Sequence, residues 1–179
     1  RRGKYVIDGV LSTHTAALVD PYTDRPDVIG EPFYIQNELN FLLKRANSLG
    51  MPVAIHAIGD RGVEMALNAF EYSNHLNYAN RVEHVEVVQP GTVERFRKLG
   101  VTASMQPNHG TGVIGKYITP RIGEEREQFA YVWNDFLKGG VRLALSSDFA
   151  TSPFSPLVQL YDAVFRESPS GLYDGPWYP

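Results

Sequence analysis

Apolar residues in this chain gather into five short runs separated by stretches with helical spacing. The clearest run is 51–58, Met-Pro-Val-Ala-Ile-His-Ala-Ile, bounded by Gly50 and Gly59, which is the pattern of a strand buried on both faces. Similar runs cover Arg1 to Asp8, Arg81 to Val88 (RVEHVEVV), Val101 to Gln106 and Val141 to Ser147. Between them, apolar positions recur at intervals of three and four. Leu39, Leu42, Leu43, Ala46 and Leu49 mark a helix within Phe33 to Leu49, closed by Gly50. Asp60 to Tyr72 opens on an N-cap candidate and carries Val63, Ala66, Leu67 and Phe70 along one face. Further helices are predicted over Thr92 to Leu99, Glu125 to Leu137 and Pro156 to Phe165. Five strand-helix alternations predict an α/β protein with β/α units on a parallel sheet, either doubly wound or part of an eight-fold barrel. Gly9 to Gly30 and Pro107 to Glu124 are irregular and follow strands, the place from which active-site loops project in such folds.

Composition works mainly by exclusion. The 179 residues suffice for one domain with a real core, and 43% hydrophobic with 12% aromatic content is far from a disordered chain. With 17 basic against 20 acidic residues, and a net charge of −3, there is no surplus to neutralise phosphates, so nucleic acid is excluded as a partner. No run approaches the roughly 18 apolar residues of a membrane span. The absence of cysteine removes thiol nucleophiles and thiolate sites, so a bound metal must use histidine, carboxylate or modified lysine. No glycine-rich phosphate cradle follows any strand. The chain opens at Arg1 without a methionine and is inside an apolar run almost at once, so it is expected to be a segment of a longer protein.

Candidate chemistry lies at the strand ends. His56 sits near the end of its run, His84 in the next strand, and Asp148 directly after the last, so all three converge at one mouth of a parallel sheet. Alternation supports this: Ala144, Ser146 and Asp148 share one face while Leu143 and Leu145 share the other. The same rule groups Ala54 with His56 and Val82 with His84. Each residue also has a plain structural use: a hydrogen-bonded core histidine, an N-capping aspartate, a surface Lys4. Independent structural uses would not fall at matching strand ends, which favours a joint role as metal ligands. His109, in Gln106-Pro107-Asn108-His109, follows a strand on the same side and reads, with Gln106, as a substrate contact. His14, His75 and Asp60 read as structural or solvent-facing, Glu64 as a solvated helix position, and Glu83 as an ion-pair partner.

The ordered segments Lys4-Tyr5-Val6-Ile7-Asp8-Gly9, His56-Ala57-Ile58-Gly59-Asp60-Arg61, Arg81-Val82-Glu83-His84, Ser104-Met105-Gln106-Pro107-Asn108-His109 and Ser146-Ser147-Asp148 resemble the amidohydrolase superfamily. More narrowly, they resemble its metal-dependent branch called amidohydrolase family 3. The resemblance implies a (β/α)8 TIM barrel with one or two divalent metals, usually zinc, that hydrolyses C–N bonds in amides or cyclic amides. It makes the five strands here barrel strands four to eight. Lys4 then matches a strand-four lysine that CO2 carboxylates to bridge two metals. His56 and His84 match the histidine ligands of strands five and six. Asp148 matches the strand-eight aspartate, which binds metal and carries the proton from the attacking water to the leaving amine. The family's strand-one His-x-His pair is missing, and its place would lie before Arg1. A barrel of about 250 residues has roughly 31 per unit, so residues 1–179 are expected to be a single catalytic-domain segment lacking its N-terminal strands and inactive alone. The open sheet edges would be covered in a homo-oligomer. The expected partner is a small-molecule substrate, and the expected compartment the cytoplasm. Two other readings stand beside this one: a non-catalytic or regulatory barrel relative, and a metal-free aldolase-type barrel with Lys4 as its Schiff-base lysine.

Overall fold

The computed structural model describes residues 2–74 and 79–167; Arg1, His75 and the terminal Trp177-Tyr178-Pro179 lie outside them. Five parallel strands make one sheet in chain order: β1 (Gly3–Val6), β2 (Val53–Ala57), β3 (Arg81–His84), β4 (Thr102–Met105) and β5 (Leu143–Leu145). Val6 stands opposite His56, and Ala57 opposite His84. The helices are α1 (Gln36–Ser48), α2 (Asp60–Ser73), α3 (Thr92–Leu99), four short ones, α4 (Pro107–Thr111), α5 (Ile118–Ile122), α6 (Glu124–Glu127) and α7 (Trp133–Lys138), and finally α8 (Pro156–Phe165). Consecutive β/α units pairing in sequence order on a parallel sheet are an arc of a barrel, one of the two architectures that the alternation left open and the one the resemblance implied. None of the helices among the described residues is long and apolar enough to cross a membrane.

Periodicity and packing agree best around β2. Val53, Ala54, Ile55 and Ala57 are buried, and α1 and α2 cover the strand with Leu39, Leu43, Val63, Ala66, Leu67 and Phe70. Each such leucine contributes about 1.5–3 kcal/mol by leaving water. Asn47 Nδ2 donates to Ser73 Oγ at 3.1 Å and ties the two helices together. Farther along, Phe96 of α3 meets Phe136 of α7 edge-on, with ring centroids 5.0 Å apart.

Two expectations need correction. The helix predicted over Glu125 to Leu137 is broken into α6 and α7, because Phe129 to Tyr131 bond to the segment that follows β3 rather than continuing a helical ladder. Val88 donates to the Phe129 carbonyl at 3.0 Å, Tyr131 donates to the Glu86 carbonyl at 2.8 Å, and Val87 bridges Ala130. Tyr131 takes a left-handed φ of 51° to make the turn. The stretch Pro107 to Glu124, expected to be irregular, instead holds α4, a 3-10 turn at Gly115–Tyr117 and α5.

The sheet's other face is polar, and Lys4, Arg81, Glu83, Ser104, Ser146 and Asp148 line an open cleft of about 320 Å³ there. At the far edge, β5 is only half-buried, and α8 exposes Leu157, Leu160, Val164 and Phe165.

Candidate metal centre

The carboxyl ends of the strands meet first around Asp8. This residue follows β1 and is fully buried. It accepts the amides of Ala17 (2.9 Å) and Gly59 (2.8 Å) on Oδ2 and that of Ile58 (3.0 Å) on Oδ1. Burial pushes its carboxyl up to about 6, against the opposing pull of these three bonds and of His56. The first loop is thereby tied to the turn before α2. Gly59 is required at that junction, since a Cβ would fall 2.1 Å from the Ala17 carbonyl oxygen. His56, on β2, is held beside this knot, with Nε2 3.1 Å from the Gly9 carbonyl oxygen and 3.5 Å from Asp8 Oδ1. Asp60 is the first residue of α2, and the N-cap is Gly59. The Asp60 side chain is buried and accepts the Val19 amide at 2.9 Å.

β3 ends under strain. His84 has φ 77° and Val85 has φ 53°, and a β-branched residue in the left-handed region is an outlier that its surroundings must enforce. The His84 ring lies 4.5 Å from that of His56 at 66°, and 5.7 Å from that of His109, nearly parallel at 9°. Its Nδ1 is 2.9 Å from Gln106 Oε1, an acceptor, so Nδ1 carries the proton and Nε2 the lone pair. Gln106 Nε2 in turn donates to Ser146 Oγ at 2.9 Å. Burial lowers the His84 pKa to about 4, helped by His56 and His109 and opposed by Glu86 and Asp148. The imidazole is therefore neutral at neutral pH, the form that binds a metal.

Glu86 is buried and stands 3.3 Å, through Oε1, from His109 Nδ1. Burial by itself would raise its carboxyl, but the hydrogen bond from His109, the charges of His109 and His84, and Tyr131 together hold it below the usual range. His109, on α4, is buried as well. Its Nε2 has no hydrogen-bond partner among the described residues and lies 4.0 Å from Asp148 Oδ2. Asp148 follows β5 with φ 51° and a side chain 42% exposed. His84, Glu86 and His109 offer donor atoms that all lie within 4.8 Å of one another. Two histidines, one with an orphaned buried nitrogen, and a carboxylate are a donor set suited to a divalent ion.

The structure thus brings His56, His84, His109 and Asp148 to one strand-end mouth. Lys4 is exposed on β1 and lines the same cleft as His84, Gln106 and Asp148. The Gln106 side chain is committed to His84 and Ser146. Asp8 and Glu86 were not singled out from the sequence. The available signals were an Asp-Gly pair at a strand end and a glutamate two places after His84 in the same run. Glu64, read as solvated, pairs with Arg95 and accepts from Thr92 Oγ1 at 2.7 Å. His14 pairs with Asp24 at 3.0 Å, and Glu83 pairs with Arg81.

The chain is similar to known proteins. An amidohydrolase family model matches residues 1–178. YtcJ of Bacillus subtilis (strain 168), an amidohydrolase by name, is 33% identical over 176 residues, covering 98% of this chain and 33% of its own length. The N-substituted formamide deformylase of Arthrobacter pascens is 30% identical over 147 residues, covering 80% of this chain and 27% of its own. Among solved structures, a metal-dependent hydrolase from Pyrococcus horikoshii OT3 superposes with a TM-score of 0.83 at 36% identity, over 91% of this chain and 32% of that one. One from Pyrococcus furiosus gives 0.81 at 38% identity, over 90% and 33%. The chain spans about a third of the length of the relatives it matches.

Proposed function

Because this chain belongs to the amidohydrolase family, we propose that it forms part of a metal-dependent hydrolase that splits the C–N bond of amides or cyclic amides. The observation that carries this reading is the meeting of His56, His84, His109 and Asp148 at one mouth, with His84 kept neutral by burial. In this reading Lys4, His56, His84 and Asp148 hold the metal, zinc is the expected ion, and Lys4 as its carbamate accommodates a second. A divalent ion bound there supplies a Lewis acid for the carbonyl and brings the pKa of a water to about 7.

The remaining work falls to the chain's own groups. Gln106 fixes which His84 nitrogen keeps its lone pair, so that the imidazole faces the cleft with the right edge. The Asp8 knot fixes the Gly9 carbonyl against His56. Asp148, open to the cleft, takes the proton of the attacking water on a carboxylate oxygen and delivers it to the leaving amine. The loops 9–30 and 107–124 border the substrate.

Metal analysis of the full-length protein, paired with amine release from a panel of N-substituted formamides, N-acyl amines and cyclic amides, tests this. The expected result is bound divalent metal and turnover of at least one class, both lost in His84→Ala. An intact protein that binds no divalent metal overturns the reading. Metal without turnover on any class favours the non-catalytic relative, and a borohydride-trapped adduct at Lys4 the aldolase-type barrel.

A further inference from the structure

We propose that His109 is an additional ligand of the centre through Nε2, and that Glu86 is the residue that positions it. This rests on the metal-dependent reading above and adds to it a donor and the group behind that donor.

Three observations carry it. First, the two nitrogens of His109 have opposite surroundings. Nδ1 faces Glu86 Oε1 at 3.3 Å, an oxygen placed to accept its N–H, so Nε2 is the ring nitrogen turned away from that carboxylate and toward the mouth side of Asp148. Second, Nε2 is buried, has no hydrogen-bond partner among the described residues, and lies 4.0 Å from Asp148 Oδ2. A buried ring nitrogen left without a partner is costly, and a cation between it and the Asp148 carboxylate would satisfy both groups. Third, His84 repeats the arrangement. Its ring is parallel to that of His109 within 9°, and its Nδ1 is likewise held by a side-chain oxygen, that of Gln106 at 2.9 Å. A metal-bound histidine characteristically gives its second ring proton to a carboxylate or a carbonyl, which fixes the ring and raises the basicity of the ligating nitrogen. Here the chain supplies one of each, behind two adjacent rings.

The fold maintains the less obvious of the two supports. The break between α6 and α7 places Tyr131 against Glu86, backbone amide to backbone carbonyl at 2.8 Å, and the Tyr131 side chain hydrogen-bonds the Glu86 carboxylate. A continuous helix over these residues would leave Glu86 without these bonds.

Cobalt(II) is the probe, because its visible ligand-field bands report the number and kind of its donors. The full-length protein is loaded with Co2+, and its affinity is measured by competition with a chelator. His109→Gln is expected to change the bands and weaken binding. Glu86→Gln, close to isosteric, is expected to weaken binding by roughly 10–100-fold, as loss of a ligand-orienting partner does. Glu86→Asp is expected to recover part of that loss, and Arg97→Gln, on the exposed surface of α3, to leave bands and affinity unchanged. Wild-type bands and affinity in both His109→Gln and Glu86→Gln, with Co2+ lost in His84→Ala, overturn the proposal and leave the metal-dependent reading intact. Weaker binding with unchanged bands in His109→Gln assigns the residue a purely structural part and also overturns it. Should His109→Gln fail to fold, Glu86→Gln decides. A wild-type protein that binds neither Co2+ nor Zn2+ overturns both readings.

Discussion

Around β2 the sheet is covered by α1 and α2, and Val53, Ile55, Leu39 and Leu67 are wholly buried; around β5, Leu143, Ala144 and Leu145 are all half-exposed and α8 turns Leu157, Leu160 and Val164 outward. The mouth draws on both regions. His56 and His84 come from the covered side, where each ring is fixed by neighbours. Asp148 comes from the open side, just after β5, with its side chain 42% exposed. Under the proposed mechanism, the groups that hold the ion stand where local unfolding is costly, and the group assigned to proton transfer sits where the chain yields more easily.

The largest test of this contrast is Asp148→Asn. It should retain part of the bound metal yet lose turnover by roughly 10²–10⁴-fold, measured as initial rates on the best substrate. Unchanged activity would remove Asp148 from proton transfer and leave the open side without a chemical role. Next is Leu67→Ala on the covered side, which should cost about 2–5 kcal/mol in urea unfolding.

A smaller effect is expected at Asp162 of α8, buried against Asn108, whose Nδ2 donates to it at 2.7 Å. Burial raises its pKa above the ordinary carboxylate value, against the opposing bonds from Asn108 and Thr111. The folded state therefore holds this proton more tightly than the unfolded chain does. Its contribution is fully present below the unfolded value and is lost as pH rises through the folded one. Asp162→Asn should consequently gain stability relative to the parent as pH rises through that window, in paired denaturation curves, and a constant difference would contradict it. The smallest effect belongs to Leu157→Ala, about 0.5 kcal/mol or less. A cost comparable to that of Leu67→Ala would show that α8 is covered in solution and would erase the contrast.

What could be read from the chain follows the same division. The apolar run at 51–58 and the one-sided spacing of Val63, Ala66, Leu67 and Phe70 predicted β2 and α2, because burial there is decided by residues close in sequence. The break in the predicted helix at 125–137 was not legible, since it depends on Val88 and Glu86 reaching Phe129 and Tyr131 across more than 40 residues. The mouth shows a similar split. His56, His84 and Asp148 could be placed there from strand periodicity alone. Glu86 could not, because β3 stops at His84 and two left-handed residues abolish the alternation that would have positioned it. Asp8 was hidden for another reason: three amides from two separate turns make it a knot, and none of those turns announces its partner.

The plain order of the strands in the sheet, β1 to β5 without a crossing, bears on how the molecule comes into being. Each strand leaving the ribosome meets the strand made immediately before it, so pairing can advance with synthesis and no strand waits for a distant mate. The groups of the mouth are completed in that same direction: Lys4 first, then His56, then His84 with Glu86, then His109, and Asp148 last.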